Sequence, residues 1–221
     1  MSQANSEIEL TFYAKIGDHN ALSQAEYSEE HVQLEARLMD GNKIRVRKTT
    51  KIPDGTSEYI FTAKRKNPGQ DVEGEKITDT TEYSVPVNEE FLNTFSEIME
   101  QKIIKTRYYF KNSSIVLTIE GQPTPIVIDN LGFEIDIFKT RGEICEYVKV
   151  DVEVDPLLAY LDEHFPELES FNLKIKTSTL PIKLTDLIYK PTATEEQKAL
   201  VKDLWENHYT IKRLPTEEPT A

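Results

Sequence analysis

A single cysteine, Cys145, serves a chain of 221 residues, so no disulfide can form within it. No local motif marks that thiol as a nucleophile. Histidine is almost as scarce: His19, His31, His164 and His208 lie far apart, without the spacing of a metal site. The 8 glycines form neither a phosphate-binding loop nor a dinucleotide fingerprint. No Ser-His-Asp arrangement suggests itself. No apolar run approaches the length of a membrane span, and the opening MSQANSEIEL lacks the basic-then-apolar pattern of a signal peptide. Positive charge is also short, with 26 Lys and Arg against 39 Asp and Glu and a net charge of −13. That balance disfavours a protein gripping long nucleic acid through its outer surface. Together these features predict a cytoplasmic protein without a membrane anchor, and they leave a homodimer open.

What is present is the makings of a core, with 38% hydrophobic and 9% aromatic residues, under a polar surface with a mean hydropathy of −0.51. Most of the chain reads as strands. Residues 7–15 alternate, and a polar stretch follows with a helical turn expected around 21–27. A hairpin is predicted from 31–39 and 43–49 about Asp40-Gly41-Asn42, then a strand at 58–66 after the Asp54-Gly55 turn. A loop is expected at 67–75 and a strand at 76–87. The clearest helix is 88–101, with Asn88 as its cap and Phe91, Leu92, Phe95, Ile98 and Met99 on one stripe. Strands are predicted at 102–111, 114–120, 126–129, 133–140, 147–155 and 171–177. Two helices follow, one from the Asp155-Pro156 pair to about His164 and one after a Thr194/Gln197 capping box that carries Trp205. The reading is one domain over 1–214, with C-terminal helices from about 155 and a disordered tail at 215–221.

Charge recurs at a spacing of two along these strands. Glu7 and Glu9 share a face, as do Arg45 and Arg47, Lys64 and Lys66, Lys105 and Arg107, Glu134 and Asp136, and Lys149, Asp151 and Glu153. One such strand would be an ordinary solvated face. Six of them are better explained by a shared interior, as in a closed barrel, where inward and outward positions alternate along every strand. Buried ions must neutralise one another or a ligand. Carboxylates Glu7, Glu9, Asp151 and Glu153, with Glu134 and Asp136 beside them, are hard oxygen donors suited to Mg²⁺ or Mn²⁺. Arg45, Arg47, Lys105 and Arg107 suit phosphate, arginine through bidentate contacts and lysine as a point charge. Lys64, Lys66 and Lys149 extend the same basic set.

The order of these motifs resembles the CYTH, or triphosphate tunnel metalloenzyme, superfamily. The resemblance spans roughly Glu7 to Asp155. Glu7-Ile8-Glu9-Leu10-Thr11 matches the first two positions of a Glu-x-Glu-x-Lys strand, with Thr11 where the family has lysine. Arg45 and Arg47 match an Arg-x-Arg strand, Lys64 a lysine strand, and Glu82 the acid before the central helix. Lys105 with Arg107, and Asp151 with Glu153, match the later basic and acidic strands. An aspartate-threonine signature ahead of Arg45 is absent; Glu35 and Arg37 stand there instead.

The resemblance implies an α+β fold, an antiparallel closed β-barrel with flanking helices. It also implies a divalent-metal-dependent triphosphatase acting on tripolyphosphate or a nucleoside or other organic triphosphate. Glu7, Glu9, Glu82 and Glu153 would be catalytic, with Mg²⁺ or Mn²⁺ as cofactor and a small triphosphate or nucleotide as ligand. Thr11 supports an alternative, a weakly active or inactive nucleotide- or polyphosphate-binding protein. A nucleotidyl cyclase using the same site is the third reading. Tyr108, Tyr109 and Phe110 are expected to pack in the core, with base stacking as the minority role.

Overall fold

A computed structural model of the chain describes residues 5–6, 9–38, 42–66, 80–99, 101–119, 126–153, 173–178, 182–189 and 193–212. The helix expected at 155–164, the loop at 67–75 and the tail at 215–221 lie outside the described residues. The described chain is an antiparallel, mostly-sheet α+β fold with a few helices.

In chain order the strands are β1 (Asn5–Ser6), β2 (Glu9–Ile16), β3 (Tyr27–Arg37), β4 (Lys43–Ile52), β5 (Ser57–Lys66) and β6 (Thr80–Pro86). Helix α1 (Glu89–Ile98) precedes β7 (Gln101–Ile119), β8 (Ile126–Thr140), β9 (Glu143–Ile144) and β10 (Tyr147–Glu153). After these come β11 (Leu173–Ser178), β12 (Leu184–Tyr189), helix α2 (Glu195–Asp203), a π-helical turn (Leu204–His208) and β13 (Ile211–Lys212). A short 3-10 helix, His19–Gln24, precedes β3. The helical turn expected at 21–27 thus ends early, and β3 begins at Tyr27, four residues before the predicted start. The strands predicted at 102–111 and 114–120 are one strand, β7, with register shifts around Ser113. β12 and β13 have no counterpart in the sequence reading.

Hydrogen-bonded neighbours run β1-β6-β5-β4-β3-β7-β8-β10-β2-β12, every ladder antiparallel. The expected closed barrel is not shown: among the described residues no ladder joins the two ends of this path. Part of the reason is that β12 occupies the second edge of β2 over Phe12–Ile16. The N-terminal segment nevertheless reaches both sides of the sheet. Asn5–Ser6 pairs with β6, while Glu9–Ile16 pairs with β10.

Residues paired across a ladder share a face, so the register sorts the side chains. Phe12, Ala14, Phe133, Ile135, Ile137, Val148, Val150 and Val152 are buried on one face. Farther round that face α1 covers β3 and β4, where Leu92 and Met99 pack with Leu34 and Val46, and Phe91 and Phe95 meet Phe61 edge-on. Asn88 caps the helix as read, its side chain accepting from the Phe91 N–H at 2.9 Å. The opposite face carries the charge.

Candidate functional site

The ladders align the charged residues in rows. Glu29 of β3 pairs with Arg107 of β7, Arg107 with Asp136 of β8, Asp136 with Lys149 of β10, and Lys149 with Tyr13 of β2. The next row runs Tyr27, Tyr109, Glu134, Asp151 and Thr11. Toward the other margin Arg47 lies opposite Gln33 and Ile60, Arg45 opposite Glu35 and Thr62, and Glu82 opposite Lys64. Among the residues whose side chains are described, Arg45, Arg47, Lys64, Lys105, Arg107, Glu134, Asp136, Lys149 and Asp151 therefore lie on one common face.

On the β7-β8-β10 side acids and bases cancel. Asp136 is fully buried at 0% exposure. Arg107 grips it in a bidentate contact, Nε to Oδ1 at 2.7 Å and Nη2 to Oδ2 at 2.9 Å, and Lys105 donates to Oδ2. Burial alone would raise this carboxyl, but Lys105 and Arg107 hold it well below the usual carboxylate range. Burial likewise opposes the Arg107 charge, yet Asp136, Glu134 and Asp151 keep the guanidinium protonated well above its ordinary value. Arg107 also pairs with Glu134 and reaches Asp151 at 3.7 Å. Lys149 pairs with Asp151, whose other oxygen accepts from the Thr11 hydroxyl at 2.6 Å. Removing one member of such a network leaves a buried charge uncompensated, typically at a cost of about 3–5 kcal/mol.

The β4-β5-β6 side is different in kind. Glu82 pairs with Lys64 and lies 3.8 Å from Arg45. Arg47, two residues beyond Arg45 on β4, has no ion pair among the described residues, and its buried Nε has no hydrogen-bond partner. Burial, then the charges of Arg45 and Arg107, push this guanidinium down to about 10. Arg47 thus carries its charge close to two other guanidinium groups. Burial and the Arg107 charge also depress the neighbouring Lys105 amine, to about 7, against the pull of Asp136.

At one end the charged face is closed by apolar packing. Tyr13, Ile103, Phe138 and Ile188 meet Val201 and Leu204 of the C-terminal helical segment, with Tyr209 just beyond it. Phe138 stacks on Tyr209 at 3.8 Å between ring centres, and the Trp205 indole N–H donates to Tyr13 Oη at 2.7 Å. Trp205 packs here, edge-on to Phe138 and Tyr209. The Thr194/Gln197 capping box is also present. At the far end of the face stand Tyr27 and Tyr109.

Of the remaining site residues read from the sequence, Glu7 lies outside the described residues. For Glu9, Lys66 and Glu153 only the backbone is described; Glu9 and Glu153 are cross-strand partners, and Lys66 lies opposite Thr80. Among the described residues no group of three or more His, Cys, Asp or Glu is placed to hold a metal ion. Both oxygens of Asp136 are engaged by cations. Asp151 lies two residues before Glu153 on β10, and Glu134 lies opposite Asp151 on β8.

Sequence reasoning missed Glu29 and the interior place of His31. Glu29 is buried and accepts from the His31 ring at 3.1 Å and from Tyr109 Oη at 3.1 Å. The available signal was parity: Glu29, His31, Gln33 and Glu35 alternate with Glu30, Val32 and Leu34. For Glu29 it was hidden because the strand was read as starting at residue 31, four residues too late.

No family model matches the chain, and no curated protein matches it. Among solved structures, the PH1819 protein from Pyrococcus Horikoshii OT3 is similar at 15% identity over 75% of this chain and 93% of that one, with a TM-score of 0.41. A likeness at that level carries no argument about activity.

Proposed function

We propose that the charged face binds the polyphosphate chain of a small triphosphate and, with a divalent cation, hydrolyses it. The observation that carries this reading is Arg47, a partly buried guanidinium that forms no ion pair among the described residues, set beside Arg45 and Arg107, with Glu29 only at a distance. Phosphate oxygens would supply the missing negative charge. Arg45, Arg47, Lys64 and Lys105 would cradle the chain, with Lys66, Arg107 and Lys149 extending the basic surface. Because Asp136 already holds Arg107 and Lys105 in fixed orientations, these donors need little reorganisation on binding.

The acidic strands supply the complement. Glu7, Glu9 and Glu153, with Asp151 and Glu134, would hold Mg²⁺ or Mn²⁺, while Asp136 serves the cations instead. When bound, the metal would neutralise phosphate charge and lower the pKa of a coordinated water. In hydrolysis, water forms a bond to the terminal phosphorus as the bridging P–O bond breaks, releasing orthophosphate and a shortened chain. Glu82, paired with Lys64 and near Arg45, would orient cations of the cradle. A full β-barrel tunnel, closed through the N-terminal segment that reaches both sheet margins, belongs to this proposal. A second reading, binding without turnover, is favoured by Thr11: where the resembling family has a lysine, this hydroxyl is committed to Asp151.

The test is a panel of tripolyphosphate and nucleoside triphosphates with Mg²⁺ or Mn²⁺, followed by product analysis. Orthophosphate release that a chelator abolishes, and that Glu9→Ala removes, is expected. Arg47→Ala should weaken binding on the order of tenfold or more, the usual loss when a charge-assisted contact disappears. Binding without turnover selects the second reading, and a cyclic nucleotide product selects a cyclase. No binding by the wild-type chain would end the proposal.

A further inference from the structure

We infer that the Tyr27–Tyr109 pair is a stacking ledge for the planar ring of a ring-bearing triphosphate, so that the site prefers a nucleoside triphosphate over inorganic tripolyphosphate. The inference rests on the polyphosphate reading above and narrows its substrate class. The two rings stack at 4.2 Å between centres and 19° between planes. Tyr109 faces inward from β7, two residues beyond Arg107, a separation of about 7 Å at the rise of a strand. Its cross-strand partners are Tyr27 and Glu134, so the ledge adjoins the charged network directly. It stands at the end of the face remote from the apolar cap of Phe138, Trp205 and Tyr209.

Two features distinguish the ledge from an ordinary cross-strand aromatic pair. First, the inner ring is held in place. Tyr109 Oη donates to Glu29, which also accepts from the buried His31, and the Tyr109 carbonyl accepts from the Glu26 N–H at 2.8 Å. Second, the outer ring is unfinished. Tyr27 leaves 43% of its surface exposed while its partner is tied down. A ring entering from solvent would extend an existing two-ring stack with little loss of side-chain freedom. Stacking on an aromatic is tolerant of base identity, so the ledge would select for a planar ring and discriminate weakly among bases. Along β7 the ledge stands four residues from Lys105, about 13 Å at the rise of a strand, so a nucleotide lying along the face would set its ring at the ledge and its phosphates at Arg107 and Lys105.

The experiment compares calorimetric affinities for adenosine triphosphate and inorganic tripolyphosphate in wild type, Tyr27→Ala and Tyr27→Phe. The wild type should bind the nucleotide more tightly. Tyr27→Ala should lose on the order of tenfold in nucleotide affinity and leave tripolyphosphate affinity unchanged, and Tyr27→Phe should restore the nucleotide affinity. Equal losses for both ligands, or no loss for the nucleotide, would overturn the inference, because a merely structural tyrosine makes no distinction between them. Tripolyphosphate binding without any nucleotide preference would overturn the ledge and leave the polyphosphate site standing. Binding of neither ligand by wild type would overturn both.

Discussion

His31 is only 1% exposed, yet it sits directly opposite Lys105, its cross-strand partner, and near Arg47 and Arg107. Burial first, and then those three cations, push its imidazole down to about 2, with Asp136 opposing. The ring is therefore neutral, and its Nε2–H donates to Glu29; Nδ1 is buried without a partner. The unfolded chain would take up a proton on this histidine near 6.5, while the folded chain would not. Stability from His31 is thus fully present above about pH 6.5 and is lost as pH falls toward 2. Asp136, also depressed in the fold, loses its contribution only below the ordinary carboxylate range, so the interval from about pH 6.5 to 4 isolates the histidine. Denaturant midpoints for wild type should fall across that interval by on the order of 1 kcal/mol per pH unit. His31→Gln should show a flatter slope, whatever its absolute stability. Parallel slopes would mean that the imidazole is charged in the fold.

The C-terminal helical segment shows how elements are assigned to their tasks. Thr194 Oγ1 accepts from the Gln197 N–H at 3.2 Å, and Gln197 Oε1 accepts from the Thr194 N–H at 2.9 Å, so α2 starts at a defined residue. That start fixes which side chains of the last turns meet Tyr13 and Phe138. Thr194→Ala should lower unfolding stability by about 1 kcal/mol. The transition can be followed by the emission of Trp205, the sole tryptophan, and an unmoved midpoint would remove the capping box from the account. This helix was legible in the sequence because caps and stripes are local signals, and so was α1 with Asn88. The charged strands were legible through their period of two, which is also local. What the sequence did not disclose was partnership. Nothing in Leu184–Tyr189 announces that it will cover an edge of β2, and the early start of β3, which makes Glu29 an inward residue, depends on pairing with Arg107 across 78 positions of chain. Acid and base strands could be recognised, but which acid would tie up which base, and hence which arginine would be left over, is a property of register.

At the scale of the whole molecule a strongly acidic chain carries, on one face of its sheet, acids and bases that pair with one another, with Arg47 toward one margin. No helix among the described residues is long and apolar enough to cross a membrane. On the proposal that Arg47, which forms no ion pair among the described residues, binds phosphate, filling the site should stabilise the folded state through mass action alone. Tripolyphosphate at about a hundred times its dissociation constant should add about 2.7 kcal/mol, a rise of about 5–10 °C in Tm for a chain of this size. Arg47→Ala should show a much smaller rise in the same titration, and an equal rise would place the ligand elsewhere. The N-terminal segment bears on how this architecture is reached. β2 lies between β10 and β12, so its neighbours are specified by codons read more than a hundred residues later. A ribosome must deliver Tyr189 before both flanks of the first long strand can be occupied, and until then its apolar side chains have no permanent company. For a chain arranged in this way, β2 is made well before the strands that flank it and is settled only after they arrive.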